Sequence, residues 1–283
     1  QVAVDKAEVA SAQNCGNMLA GVGPWAIENK MVSALSDKTP VRIHMLNSGG
    51  MAIASVPTLE GLVVYEGDTQ ISGVPGSSAA IPIEFLNISG STTGALFPTD
   101  SKIDRSQDID VTCIDNGMPV ILLRAEDVGK TGLETPQELE ADMTLKSVLE
   151  AIRLDMAPKM NLGDVRQKTV PKLTLLSPAQ NGGLTMTRTF IPHRVHQAIG
   201  VLGAVSVATG CLIRGSIADG FVTPNVSATI DGRFSIEHPT GSFEVDLEIK
   251  DGTVKRSALV RTARKLMSGD VFFPTLSKAE QNA

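Results

Sequence analysis

Short apolar runs separated by turn residues dominate the pattern of this chain. In its first half, such runs predict strands at residues 41–46, 51–56, 62–66, 81–86, 111–114 and 120–123. In the second half they predict strands at residues 172–176, 184–191 and 271–273, and a hairpin of residues 243–249 and 254–260 around Asp251-Gly252. Residues 1–4 read as one more strand. The pattern therefore predicts a fold rich in short strands.

Three segments have the pattern of a helix instead. Residues 138–156 have an apolar stripe and a polar face, and Asp142 and Lys146 are spaced as an i,i+4 ion pair, with Pro158 ending the helix. The helix that begins near Cys15 and the segment at residues 198–213 are apolar on nearly all sides, which predicts two buried helices. Strands surround each of them, so we expect two similar halves whose helix N-termini meet at one cleft. The Gly-, Ser- and Pro-rich residues 67–78 are a candidate boundary.

Composition narrows the classes of partner. The chain has 283 residues, 42% of them hydrophobic, and a net charge of −6 without a basic stripe, which argues against nucleic acid as a partner. The longest apolar run is too short for an ordinary membrane span. The cysteines Cys15, Cys113 and Cys211 are odd in number and widely spaced, which is typical of the reducing cytoplasm. An anionic small molecule remains compatible with this composition.

Cys15 is the candidate with the clearest chemistry. Asn14 is a good N-cap, so Cys15 would lie at a helix N-terminus, where free N–H groups favour negative charge and lower the pKa of a thiol. Such a thiol is a usable acid or base, and the N–H groups of Gly16 and Asn17 can hold a carboxylate. The alternative is that Cys15 is a small buried residue, as most cysteines are.

Further candidates surround the second apolar helix. His193 and His196 precede it and are either substrate-contacting donors or structural loop residues; as a metal pair they lack the H-E-x-x-H pattern and a third ligand, so no metal is expected. Cys113 and Cys211 are expected to be inert core residues. The remaining candidates for contact with substrate are Lys172, Arg188, Asn116 and Met118, for which a salt bridge or turn chemistry is the alternative.

Several segments, in this order, carry a resemblance to a known family. They are residues 14–24, 112–119, 149–154, 160–165, 190–193, 203–209 and 260–264. Together they resemble isomerases with the diaminopimelate epimerase fold, in the group that contains 2-methylaconitate isomerase and 4-oxalomesaconate tautomerase. The details are most similar to the tautomerase branch, which acts in gallate and protocatechuate degradation.

This resemblance implies an α+β fold of two lobes, each with a sheet wrapped around a central helix. The first lobe would be residues 1–78 joined by residues 268–283, and the second residues 79–267. The implied reaction is a 1,3-proton shift in an unsaturated tricarboxylate, without cofactor or metal. Cys15 would match the catalytic cysteine, and Gly16 and Asn17 the positions that hold a substrate carboxylate. The resemblance leaves homo-oligomerisation open.

The chain departs from the family pattern twice. Residues 198–202 lack the second cysteine of the epimerases, as the tautomerase branch also does. That branch uses a lysine some tens of residues before the cysteine, and Lys6 is too close to match, so we expect a further segment before Gln1. Three alternatives remain: a 2-methylaconitate cis–trans isomerase, a non-catalytic carboxylate-binding member, and a thiol hydrolase using Cys15 and His193. The last is disfavoured because no orienting Asp or Asn is evident.

Overall fold

The computed structural model describes residues 16–46, 49–192, 194–218, 221, 229–270 and 272. In these residues, thirteen strands form one sheet, and four α-helices and a short 3-10 helix (Glu126–Val128) cover it. The helices are α1 (Gly16–Glu28), α2 (Pro136–Ala141), α3 (Met143–Lys159) and α4 (Val201–Leu212). The strands are β1 (Lys38–Met45), β2 (Gly50–Leu59), β3 (Leu62–Val63), β4 (Ile81–Leu86), β5 (Asp104–Ser106), β6 (Ile109–Asp115), β7 (Pro119–Arg124), β8 (Lys172–Ser177), β9 (Thr185–Ile191), β10 (Arg194–Val195), β11 (Thr229–His238), β12 (Gly241–Lys250) and β13 (Thr253–Arg261).

The order of the strands explains where the helices lie. The sheet runs β1-β2-β4-β13-β12-β11-β9-β8-β7-β6-β5, with β3 paired to β2 and β10 to β9. Neighbours are antiparallel except β7 with β8 and β9 with β11. Parallel neighbours need a crossover connection, and helices α2 and α3 supply the first while α4 lies in the second. The predicted strand-rich fold is confirmed, although β3 is shorter than expected.

Helix α4 is the buried centre of one part of the sheet. It packs against β6, β7, β11, β12 and β13, and its residues from Gly203 onward are buried. Gly210 permits this close approach, since a Cβ there would lie 2.6 Å from Leu122 Cδ1. The predicted buried helix is confirmed.

Helix α1 differs from the prediction on one side. It packs against β1, β2, β3 and β4, with Leu19, Ala20 and Ile27 in the core. The opposite side is exposed: 72% of Met18 and 57% of Trp25 are accessible to solvent. The expectation that this helix is buried on all sides is wrong for the described residues, because none of them covers that face.

The exposed helix predicted at residues 138–156 is in fact two helices that meet at Asp142. The side chain of Asp142 caps α3 by accepting the N–H of Leu145 at 2.9 Å, and it pairs with Lys130 at 2.6 Å. Lys146 pairs with Glu140 at 2.7 Å instead. The predicted Asp142–Lys146 pair is therefore wrong, because capping turns the carboxylate towards the start of α3. Pro158 lies in the last turn of α3, which ends one residue later, at Lys159.

The sheet is continuous across the candidate boundary at residues 67–78. Strand β2 precedes the boundary and pairs with β4, which follows it and pairs with β13. The division into residues 1–78 with 268–283 and residues 79–267 stays a prediction. The strands predicted at residues 1–4 and 271–273 lie outside the described residues, apart from the single residue Phe272. No helix in the described ranges is long and apolar enough to cross a membrane.

A buried carboxylate fixes the β8–β9 loop. Glu237 is 2% exposed and accepts the backbone N–H groups of Gln180, Asn181 and Gly183 at 2.8, 2.7 and 2.9 Å. Burial raises the pKa of Glu237, but these bonds outweigh it and hold the pKa below its ordinary value.

We expect Glu237→Gln to lower the free energy of unfolding by about 1–2 kcal/mol at neutral pH, since an amide replaces an acceptor of charge-assisted bonds. The loss should shrink in acid, as the pH falls through the native pKa. Urea unfolding at several pH values measures it. Glu248→Gln, on the neighbouring strand β12, is the control. Equal losses in both variants would contradict the role of the three bonds.

Candidate active site

Four basic side chains gather at one end of the sheet. Lys172 begins β8, His238 ends β11, Arg261 ends β13, and His196 lies between β10 and α4. Strand β8 runs opposite to β11 and β13, so its first residue points towards the end of the sheet at which those strands finish. The charge of Lys172 acts on His196, and the charges of His196 and Arg261 act on His238, so the four side chains form a chain of neighbours. We call these four residues the basic cluster.

The three strand residues share the face that carries α4. Side chains two or four residues apart in a strand point to the same face. Leu176, four residues after Lys172, and Ile236, two before His238, both belong to the core that includes α4. Arg261 lies over the ring of Phe243, which is paired with Ile236.

Arg261 connects the cluster to the start of α1. Its Nε donates to Asn17 Oδ1 at 2.9 Å, and its Nη1 donates to the carbonyl of Val260 at 2.9 Å. The guanidinium carbon lies 3.8 Å from the centroid of the Phe243 ring. Arg261 is 7% exposed, and burial lowers its pKa to about 10, so it remains charged at neutral pH.

Lys172 and His196 are neighbours near the start of α4. Lys172 is half-buried, and burial lowers its pKa to about 8. Burial lowers the pKa of His196, and the charge of Lys172 lowers it further. Nδ1 of His196 accepts the N–H of Ala198 at 2.9 Å, so the hydrogen-bond network assigns the proton of the neutral ring to Nε2.

His238 lies between these residues and Arg261. It is 7% exposed, and its pKa is lowered mainly by burial and also by the charges of His196, Arg188 and Arg261. The following turn is joined to the segment before α4, because Thr240 Oγ1 donates to the carbonyl of Gln197 at 3.1 Å. The turn therefore holds His238 beside the start of α4.

The basic cluster lacks neutralising carboxylates. Within the described ranges, none of its four side chains forms an ion pair, and burial alone accounts for the lowered pKa values of Lys172 and Arg261. Buried cations without counter-ions are costly, and an anionic ligand would compensate them. The arrangement suits a ligand with several carboxylates. No group of three or more His, Cys, Asp or Glu in the part of the chain that the structure describes is placed to hold a metal ion.

The candidates from the sequence separate into distinct groups. The structure brings Asn17, Lys172 and His196 to the basic cluster, and α1 begins at Gly16. Cys15 and His193 lie outside the described residues.

Arg188 does not share the face of Lys172. It is paired with Leu175 on the opposite face, where Leu175 and Phe190 pack under α2 and α3. Its Nε donates to the carbonyl of Glu134, and its Nη1 donates to that of Thr187 at 2.9 Å. Its guanidinium thus fastens the loop before α2.

Asn116 and Met118 are hydrogen-bonded to residues in the middle of α4. The amide Nδ2 of Asn116 donates to Thr209 Oγ1 at 2.8 Å and to Ser257 Oγ at 3.0 Å. The carbonyl of Met118 accepts the hydroxyl of Ser206 at 2.7 Å. Asn116 is fully buried, and its hydrogen bonds to described residues go to α4 and β13 rather than to a side chain of the basic cluster.

Comparison with known proteins assigns the family. The family model described as "PrpF protein" matches residues 1–274. The chain belongs to the PrpF family. A 4-oxalomesaconate tautomerase of Pseudomonas putida is 54% identical over 271 residues, which are 96% of this chain and 74% of that protein. A (4E)-oxalomesaconate Delta-isomerase of Novosphingobium sp. is 53% identical over 274 residues, which are 96% of this chain and 76% of that protein.

A solved structure of a related isomerase supports the expected fold. The crystal structure of a methylitaconate-delta-isomerase superposes with a TM-score of 0.79 at 30% identity, covering 91% of this chain and 72% of that one. Since α1 and α4 each pack on their own group of strands, this PrpF member has the expected α+β fold with two central helices. The expectation of an isomerase is confirmed by the activities named for its relatives.

Proposed function

We propose that this PrpF member moves a proton along an unsaturated tricarboxylate in a cofactor-independent 1,3-shift, with 4-oxalomesaconate as substrate. The observation that carries the proposal is the basic cluster, which joins the starts of α1 and α4 without neutralising carboxylates. Two relatives at 54% and 53% identity, named for oxalomesaconate, support this substrate over 2-methylaconitate.

The cluster supplies what such a reaction needs. Removing a proton from a carbon between carboxylates creates a dienolate, whose charge must be stabilised as it forms. Lys172 and Arg261 provide positive charge, and His196 offers a neutral Nε2–H donor. The free N–H groups at the starts of α1 and α4 add fixed dipoles that need no reorganisation.

Cys15 is the proposed proton-transfer group, acting as the acid that reprotonates the far carbon. Helix α1 begins at the next residue, and the helix N-terminus lowers the pKa of a thiol. Gly16 and Asn17 are proposed to hold a carboxylate beside it, and His193, Asn116, Met118 and Arg188 stay predictions. Cytoplasmic location is also a proposal; Cys113 and Cys211 are free and buried, which is compatible with it.

The test is turnover of 4-oxalomesaconate in deuterium oxide, followed by ultraviolet absorbance and proton NMR. We expect conversion with solvent deuterium at the reprotonated carbon, and a higher kcat/KM than for 2-methylaconitate. Conversion in which deuterium never enters the product would refute the proton shift through Cys15. Absence of conversion of either compound would favour the non-catalytic carboxylate-binding alternative.

A further inference from the structure

Arg261 differs from two other arginines, Arg153 and Arg256, in what it contacts. Arg153 is fully buried, but Glu150 binds its Nε and Nη2 at 2.7 Å each. Arg256, on the same strand as Arg261, pairs with Asp231 and Asp246 at 2.9 and 2.8 Å. Each of these guanidinium groups is neutralised by the protein itself.

The contacts of Arg261 leave its charge uncompensated. Its partners are an amide oxygen of Asn17, its neighbour's carbonyl and the face of Phe243. The hydrogen bonds of Arg261 to other described residues use its Nε and Nη1, and no carboxylate among those residues forms an ion pair with it. A guanidinium has five N–H donors in a fixed fork that matches a carboxylate, and stacking on Phe243 holds that fork in place.

We propose that Arg261 is a specificity-determining residue that binds one carboxylate of the substrate, while Lys172 binds another. This inference rests on the proposed function, since it assigns the carboxylates of that substrate. Arg261 ends β13 and Lys172 begins β8, and three strands of the sheet (β12, β11 and β9) lie between β13 and β8. Because Arg261 and Lys172 are both held by one sheet, they select ligands by the distance between the ligand's carboxylates. The hydrogen bond to Asn17 places the guanidinium of Arg261 at the start of α1.

The test measures binding of tricarballylate, a saturated tricarboxylate that cannot tautomerise, by isothermal titration calorimetry. We expect Arg261→Met to raise its Kd at least about tenfold. Arg261→Lys keeps the positive charge but loses the paired N–H donors of the guanidinium, so its Kd should lie between those of the wild type and Arg261→Met. The matched control is Arg256→Lys on the same strand, which should change the Kd less than about twofold. The melting temperature of each ligand-free variant checks its folding, and Arg261→Lys serves if Arg261→Met does not fold.

A second variant separates binding from a structural role. Asn17→Ala breaks the bond from Arg261 to α1 but keeps both the guanidinium and the backbone N–H of residue 17, so it should raise the Kd less than Arg261→Met does. With 4-oxalomesaconate, Arg261→Lys should raise KM more than it lowers kcat. Equal losses of binding in Asn17→Ala and Arg261→Met, or an unchanged Kd in both Arg261 variants, would overturn the inference.

The proposed function fails separately. If the wild type converts 4-oxalomesaconate while the Arg261 variants bind tricarballylate normally, only the carboxylate anchor is wrong. Suppose instead that the wild type binds tricarballylate but converts neither unsaturated substrate, and that the Arg261 variants bind tricarballylate weakly. Then the anion site is supported and the isomerase proposal is wrong.

Discussion

Replacing Cys15 with alanine is expected to lower kcat for 4-oxalomesaconate by a factor of about 10²–10⁴, the usual contribution of a general acid or base. Serine at this position should be almost as damaging, because a hydroxyl is a far weaker acid than a thiol at a helix N-terminus. KM should change little, since the carboxylates are bound by other groups. Steady-state kinetics by ultraviolet absorbance measures both values.

The other two cysteines provide the control. Burial raises the pKa of Cys211 to about 12, and burial also raises that of Cys113 well above its usual range. Iodoacetamide at neutral pH should therefore modify Cys15 alone, with loss of activity that tricarballylate prevents. Cys211→Ala should keep kcat within about threefold, because a buried thiol of this kind is inert. Full activity in Cys15→Ala would exclude the proposed proton transfer.

Replacing Lys172 with methionine is expected to lower kcat/KM roughly 10–100-fold, because a charge-assisted bond to a substrate carboxylate is lost. The effect should depend on pH. Lys172 has a pKa of about 8, and its protonated form binds the anion, so kcat/KM of the wild type should fall as the pH rises through 8. Bound substrate raises the pKa of the ammonium, so kcat should show a weaker fall.

Two variants test this assignment. Lys172→Arg keeps its charge at high pH, so the alkaline fall in kcat/KM should move upwards. Lys172→Met should lack the part of the fall that Lys172 causes. Lys168→Met is the matched control, since Lys168 is exposed and its ammonium donates to the carbonyl of Leu162. An alkaline fall that is the same in all variants would assign it to another group, with the thiol of Cys15 as the first candidate, since the pKa values of His196 and His238 are lowered from 6.5.

Local patterning was sufficient for most of the fold. Strand β4 was predicted with its observed bounds, because apolar side chains alternate with half-buried ones along it. Strand β11 was missed, although Ile230, Phe234 and Ile236 alternate with polar residues along it. Gly232 interrupts that alternation, and the pairing of β11 with β12 supplies what its own sequence does not. The exposed side of α1 was also unpredictable, because an apolar sequence does not say what covers it.

Sequence patterns predicted the residues of the candidate site only where those residues lie at the start of a helix or strand. Asn17, Lys172 and His196 each lie at or near the start of a helix or strand, and the structure places them in or beside the basic cluster, while their roles towards substrate stay predictions. Arg188 stays a prediction, because β9 is buried on both faces and its pattern does not show which face meets the cleft.

His238 and Arg261 were missed for a different reason. Their proximity depends on the register of β11, β12 and β13, which is a long-range property. Arg261 stood in a recognised segment, but only the structure shows that no acidic residue among those described neutralises it.

The hydrogen bond between His196 and Ala198 limits what this imidazole can do in a reaction. A ring that relays protons must alternate between its two tautomers, and here the backbone N–H occupies the nitrogen that would have to receive the incoming proton. His196 can point a fixed dipole at a developing negative charge but is unsuited to deprotonating carbon. A change of substrate specificity in this scaffold would then arise from substitutions at the carboxylate-binding residues Arg261 and Lys172, while His196 stays unchanged.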